Sequence, residues 1–292
     1  LACARRNGYH RANPSAVGAL LVVPSSGFPA MARVLAVSNQ KGGVGKTTTT
    51  TNLGAALALA GQKVLVVDLD PQGNASSGLG YPRAEVDSGV YDALMAFRDL
   101  DDVVRPTSVE RLDLVPASRD LVGAEVELVG EPQRERRLRR ALDRVRDGYD
   151  WILIDCPPSL GLLTINALVA SDAVLVPLQA EYYAMEGLGD LLRTVDAVQK
   201  HMNPDLEREG IVLTMIDRRN NLCRDVETQA RELFGIDVFA SAIPRNVRLG
   251  EAPSFGKSIV EYASNSKGAQ AYVALAEELL ARRGARAARA AS

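Results

Sequence analysis

The sequence has few residues of the kinds that build disulfide, metal or membrane proteins. In 292 residues there are three cysteines, two histidines, one tryptophan and 5% aromatics. Cys3, Cys156 and Cys223 show no CxxC spacing. A disulfide framework, or a zinc or iron–sulfur site supplied by one chain, is therefore excluded, and a reducing cytosol fits best. Neither His10 nor His201 has neighbours that point to chemistry. Long apolar runs are missing too: Val64 to Val67 and Val174 to Val176 fall far short of the roughly 20 residues that cross a bilayer. No stretch rich in Gly, Ser or Pro interrupts residues 31–283, which makes one domain the simplest organisation.

Excess charge of one sign is also absent, since the net is −2. Its distribution is uneven. Arg5, Arg6 and Arg11 stand in the first 30 residues without an acid, and Arg282, Arg283, Arg286 and Arg289 crowd the end. Without these seven arginines the body carries 27 basic against 36 acidic side chains, a net of −9. Overall charge cannot draw such a body to nucleic acid or anionic lipid, so any such binding needs a local patch. Residues 1–30 are expected to be an unordered extension ahead of Met31. The alternative is a secretory or transit segment, for which the apolar stretch Val17 to Val23 is at the short limit. Residues 284–292, rich in Ala and Arg, are expected to be an unordered tail.

Between these ends, short and nearly continuous apolar runs recur at Val34 to Val37, Lys63 to Val67, Leu112 to Val115, Trp151 to Ile154, Ala173 to Pro177, Ile211 to Met215 and Val238 to Ile243. Continuous hydrophobicity means that both faces of each strand are covered, as in a parallel sheet with helices on both sides. The expected class is α/β: a doubly wound, mostly parallel sheet flanked by helices. The segments between the runs are long enough for crossover helices, one of them ending at Gly61, a residue suited to a left-handed cap. A helix is expected over Gln133 to Arg146; its seven arginines read as a solvated face beside the apolar stripe Leu138, Leu142 and Val145.

The strongest motif is Gln40-Lys41-Gly42-Gly43-Val44-Gly45-Lys46-Thr47-Thr48, placed directly after the first strand and opening a helix. Glycines there let backbone amides turn inward around phosphate oxygens, and the helix points its positive end at them. Lys46 can reach β and γ phosphates, and the Thr47 hydroxyl can hold Mg²⁺. The strict GxxxxGK[ST] pattern fails at Gln40, and a second lysine, Lys41, is present instead. Asp68 and Asp70 at the end of the second strand, and Asp155 at the end of a later one, share the edge where ligands bind in open parallel sheets. Carboxylates there can hold the waters of Mg²⁺ or orient a water that attacks a γ phosphate.

Taken with Asp68-Leu69-Asp70-Pro71-Gln72-Gly73-Asn74, Ile154-Asp155-Cys156-Pro157-Pro158-Ser159 and Ile243-Pro244-Arg245-Asn246-Val247-Arg248, the KGGVGKTT loop resembles that of the ParA and MinD family of P-loop ATPases. It is most similar to the family's chromosomal Soj branch, over about residues 32–281. The resemblance implies the deviant P-loop NTPase fold with ATP and Mg²⁺ as cofactors. It assigns Asp70 to the attacking water, Asp155 to the metal's outer shell, and Asp68 to a place beside the metal with Thr47. Lys41 would cross to the nucleotide of a second subunit in an ATP-bound homodimer. Pro244 and Asn246 would lie near the adenine, while Arg219 and Arg248 would bind DNA without sequence preference. The implied function is DNA partitioning in the cytoplasm and on the nucleoid, with a ParB-type centromere-binding partner that triggers hydrolysis. A MinD-like membrane ATPase is the alternative, but Ala281 to Ser292 offers no bulky apolar residues for an anchor helix, and no membrane contact is expected. A cluster-carrying electron-transfer relative lacks the cysteine pairs. A static nucleotide-bound scaffold or repressor would differ by having no ATPase stimulated by DNA and partner.

Overall fold

Short runs of β-branched residues build the centre of the protein. The computed structural model describes residues 31–181, 184–217 and 219–290. The described residues form strands β1 (Arg33–Val37), β2 (Val64–Asp68), β3 (Arg105–Pro106), β4 (Leu112–Val115), β5 (Trp151–Asp155), β6 (Ala173–Gln179) and β7 (Glu207–Thr214). They lie in the order β3-β4-β2-β5-β1-β6-β7. Every neighbouring pair is parallel except β3 with β4. The helices are α1 (Lys46–Leu59), α2 (Asn74–Gly78), α3 (Val90–Leu94), α4 (Leu121–Glu127), α5 (Arg137–Leu142), α6 (Leu162–Ala170), α7 (Ala184–His201), α8 (Asn221–Phe234), α9 (Val247–Glu251), α10 (Ile259–Tyr262) and α11 (Lys267–Ala290).

Alternate residues of each central strand serve two separate cores, which is why the runs are apolar throughout. Val34 and Ala36 of β1 pack with Leu65, Val67, Ile152 and Ile154 against α6, α7 and α8. Leu35 and Val37 face the other side with Val64, Val66, Trp151 and Leu153, beneath α1 and α11. The strand β1 thus sits centrally with its carboxyl end between β5 and β6, the topological switch point at which open α/β sheets bind ligands. Gly61 takes φ 89° after α1, as a left-handed cap.

Four features differ from the sequence reading. The expected strand Val238 to Ile243 makes only isolated bridges, Ile211 with Val238 and Ile216 with Pro244. The Glu278 carboxylate accepts the amides of Ala240 and Ser241 at 2.9 and 2.8 Å and so withdraws them from a ladder with β7. Pro244 and Asn246 therefore follow an extended segment beside the sheet, not a strand. The two-residue β3 escaped notice because it has no periodicity to read, and its Pro106 is at home only on an edge. The expected helix Gln133 to Arg146 is broken into α5 between 3₁₀ turns at Arg134–Arg136 and Arg146–Gly148, although Leu138, Leu142 and Val145 are all buried. Residues 1–30 lie outside the described part of the chain.

The fourth difference is at the end of α11, which continues as helix to Ala290, past the boundary expected at 283. Long-range contacts hold these turns. The Arg283 guanidinium lies 4.7 Å from the centre of the Trp151 ring and donates to the Asp150 carbonyl at 2.8 Å. Arg286 donates to the buried Glu209 at 2.7 Å. Replacing Arg283 by Ala removes a buried cation–π contact and one of two donors to the Asp150 carbonyl, which keeps the Arg33 amide at 3.0 Å, and should lower unfolding free energy by about 1–2 kcal/mol. Urea denaturation measures this; an unchanged midpoint would show that the last turns are not part of the fold.

Candidate functional site

Helix α1 opens with Thr47 to Thr51, five β-branched residues that are poor helix formers, so packing and not propensity holds it. Its N-cap residue, Gly45, has no side chain to accept the first amides, and no other side chain caps them. Those amides and the positive end of the helix are thus available to an anion. Gly43 and Gly45 have φ of 76° and 90°, which a residue with a Cβ adopts only under strain. The loop is fastened from both sides. The Asn39 amide donates to the Pro177 carbonyl at 2.8 Å, its oxygen accepts the Lys41 amide at 3.0 Å, and Thr214 Oγ1 donates to the Val44 carbonyl at 2.8 Å.

The two lysines take opposite positions. Lys46 is 6% exposed and turns inward, its Nζ donating to the Lys41 carbonyl at 3.0 Å. Burial lowers the pKa of its ammonium, against the pull of Asp155 and Asp70. Lys41 turns outward, its side chain 36% exposed, and pairs with Glu181 Oε2 at 2.8 Å.

The three carboxylates also separate by role. Asp155 is fully buried at the end of β5. Thr50 Oγ1 donates to its Oδ1 at 3.2 Å, and its Oδ2 has no partner. Burial, with Asp68 and Asp70 nearby, pushes its pKa well above the usual carboxylate range. Asp68 stands opposite Asp155 in the β2–β5 register, but its oxygens are already engaged. Its Oδ2 accepts Ser76 N and Oγ at 2.7 and 2.6 Å, and its Oδ1 accepts the Asp70 amide at 3.3 Å. Burial raises Asp68 to about 6. This residue organises the turn into α2, which differs from the metal-side place expected of it. Asp70, at the start of that turn, accepts the Gln72 amide at 3.0 Å. An orphaned buried oxygen on Asp155 at the edge of the sheet where α1 begins suits Mg²⁺, which keeps several waters and borrows phosphate oxygens instead of filling an all-protein cage. The described residues contain no cluster of three His, Cys, Asp or Glu that could hold a metal ion.

Beside the loop lies a cavity of about 300 Å³ whose lining includes Thr48, Thr214, Met215, Pro244, Asn246 and Tyr272. Both residues expected near the adenine are present, and Asn246 also caps α9 by accepting the Arg248 amide at 2.9 Å. Three of the others were not foreseen. Thr214 is a polar residue at the carboxyl end of an apolar run and was legible on that ground. Met215, at φ 54°, and Tyr272, whose hydroxyl lies 3.2 Å from Thr49 Oγ1, reach the site by folding alone. Glu181 likewise carried no signal. The sequence-expected Arg219, in the turn before α8, and Arg248, in the first turn of α9, lie on neighbouring segments joined by hydrogen bonds from Ile216 N to the Ile243 carbonyl (3.0 Å) and from Arg245 N to the Ile216 carbonyl (3.1 Å). Arg218 is outside the described residues. Cys156 is a fully buried core residue whose thiol is pushed up by burial, and His201 makes no contact in the site.

Known proteins match this arrangement. The family described as AAA domain matches residues 32–208. The sporulation initiation inhibitor protein Soj of Bacillus subtilis is 56% identical over 251 residues, 86% of this chain and 99% of its own. The chromosome partitioning protein ParA of Myxococcus xanthus is 53% identical over 88% of this chain and 90% of its own. The chain belongs to the Soj/ParA family of chromosome-partitioning proteins. Among solved structures, one described as cobyrinic acid a,c-diamide synthase from Mycobacterium smegmatis with bound ADP and magnesium superimposes with a TM-score of 0.76 at 41% identity, covering 86% of this chain and 94% of that one. The cell division ATPase MinD of Pyrococcus furiosus gives 0.73 at 30% identity, covering 86% and 100%. These likenesses extend over nearly the whole described body and make the domain that of an ATPase.

The Thr214 hydroxyl is the link between β7 and the phosphate loop. Thr214→Val keeps the shape and leaves the Val44 carbonyl buried without its donor, at a cost of about 1–3 kcal/mol. Nucleotide affinity by calorimetry should fall about five- to a hundredfold with the fold intact. Unaltered affinity would mean that the loop holds its shape without this bond.

Proposed function

We propose that this protein is a DNA-partitioning ATPase in which ATP joins two subunits into a dimer that rests on DNA, and hydrolysis ends that state. The observation that carries the reading is the division between the lysines. Lys46 is buried within its own loop, and Lys41 is presented at the surface on an exchangeable ion pair. One lysine serves the subunit's own triphosphate; the other has no task there and is free to leave Glu181 for the phosphates of a second subunit, as an arginine finger does. The γ phosphate then holds the two subunits together, and its loss weakens the contact.

Within one subunit, the amides of residues 43–48 and Lys46 neutralise the phosphates, and Lys46 exchanges the Lys41 carbonyl for a phosphate oxygen. Thr47 and Asp155 would hold Mg²⁺, which when bound supplies positive charge to the β and γ oxygens. Asp70, fixed by the turn after β2, orients the attacking water. The cavity of Pro244, Asn246, Met215 and Tyr272 receives the base. The segment that forms its wall also carries Arg248 and is hydrogen-bonded to the loop of Arg219, so nucleotide occupancy and the DNA-facing arginines share one piece of backbone. Pairing two such patches on one duplex raises avidity with no new kind of contact. A ParB-type centromere-binding protein would accelerate hydrolysis and so release the ATPase from the nucleoid into the cytoplasm. The membrane-bound alternative has less support, because the partition relatives are nearer in sequence than the cell-division ATPase.

Lys46→Ala should lose nucleotide binding, whereas Lys41→Ala should bind ATP and remain a single subunit in sedimentation; a normal dimer in the second variant would remove the cross-subunit role. DNA binding measured with ATP, ADP and no nucleotide should be tight only with ATP and should vanish in Arg219→Glu without loss of folding. Equal binding in all three states would overturn the proposed cycle.

A further inference from the structure

Each arginine assigned to DNA already holds an oxyanion of its own chain. Arg219 places Nε and NH2 on the two separate oxygens of Asp217, both at 2.9 Å, and its amide adds a third bond to Oδ1 at 3.1 Å. Arg248 NH1 donates to Glu251 Oε2 at 2.9 Å, and that same oxygen accepts the Tyr262 hydroxyl at 3.1 Å. The arginine side chains are 90% and 58% exposed. Pairs this open to water add little to folding stability, so stability does not account for them. The geometry at Arg219 does match something else: a guanidinium fork on two oxygens is the arrangement that arginine makes with a phosphate, and Arg248 makes one arm of the same contact. The effect of Arg219 holds Asp217 down to about 2, so this carboxylate stays charged at any physiological pH.

Together the four side chains sum to zero charge, on a body whose net charge is negative. We infer that Asp217, in the fork of Arg219, and Glu251, on one arm of Arg248, are positioning residues that act as internal competitors for DNA phosphate, keeping one subunit's affinity too low for residence on a duplex. Stable residence then requires two patches at once, which makes DNA binding depend on the dimer more steeply than avidity on unmasked arginines would. Entry of a phosphate turns each arginine from an internal acceptor to an external one, and the displaced carboxylate remains close enough to oppose it. The inference rests on the DNA-binding reading above and adds to it the residues that set its threshold.

The test uses the full chain with ADP and with ATP, a fluorescent duplex of random sequence, and anisotropy titrations at several salt concentrations. Asp217→Asn and Glu251→Gln keep hydrogen-bond acceptors in place while removing charge. Asp196→Asn is the control. It removes the charge from an exposed pair with Arg208 (2.5 Å) that lies apart from both arginines, keeps the acceptor, and changes net charge by the same amount. The inference expects each of the two variants to bind DNA about three- to tenfold more tightly with ADP, and the slope of log affinity against log salt to steepen by about one per subunit. The control should move neither. Equal shifts in Asp217→Asn and Asp196→Asn would assign the effect to net charge, and weaker binding in both loop variants would make the carboxylates supports of the arginines; either overturns the inference. Arg219→Glu separates the two levels. If it leaves ATP-dependent DNA binding intact, the DNA site itself is misplaced. If it abolishes binding while Asp217→Asn and Glu251→Gln match the parent, the site stands and only the competitor role fails.

Discussion

A helix that begins without a cap governs the site. Helix α1 starts at a glycine with φ 90°, its first amides taken by no side chain, at the carboxyl end of the central strand. Uncapped amides next to buried backbone are costly unless an anion or water answers them. The surroundings keep that end open: Thr214 and Asn39 fasten the loop by its carbonyl and amide groups on the outside, so its inner amides stay in place with nothing bound. The threonines that follow would not form a helix in isolation. Packing of Leu53, Ala56 and Leu57 into the core beneath α11 holds them, and the phosphate-facing end inherits its position from that core.

The cations of the candidate site are each paired with a group of the same chain. Lys46 is on a backbone carbonyl, Lys41 on Glu181, Arg219 on Asp217 and Arg248 on Glu251. Each contact satisfies the cation while leaving it exchangeable, since a phosphate offers a stronger acceptor than a carbonyl and a second one to a guanidinium. Asp155 is the complementary case: a buried carboxylate with one oxygen unanswered, destabilised in its charged form until a cation joins it. The chain thus holds these charges in internal contacts, and the proposed cycle would exchange their partners within a fixed fold.

Much of this was legible in order along the chain. The runs that become β1, β2, β4, β5, β6 and β7 are nearly continuous in apolar residues because two cores share them, and that continuity is a property of sequence alone. The glycine and lysine spacing of residues 40–48 stated the phosphate chemistry before any coordinate. Where local pattern failed, a distant residue had decided. Glu278 draws the amides of Ala240 and Ser241 out of a ladder that their apolar neighbours would otherwise have joined. The arginines of 133–146 looked like one helix, and the chain breaks there into turns around a shorter α5. Asp68 carries the same residue type and strand end as Asp155, yet Ser76, eight residues on, takes up its oxygens.

By itself the sequence determined the layered sheet, the glycine-rich loop, and the set of lysines, carboxylates and arginines on which the proposed function draws, because periodicity, glycine placement and residue chemistry are local. Tertiary structure decided which carboxylate keeps a free oxygen, which lysine faces outward, what walls the base cavity, and which acid each arginine holds. Those outcomes depend on hydrogen bonds across the fold, such as Lys41 to Glu181 over 140 residues and Thr214 to Val44 over 170, and such bonds leave no trace in the spacing of the chain.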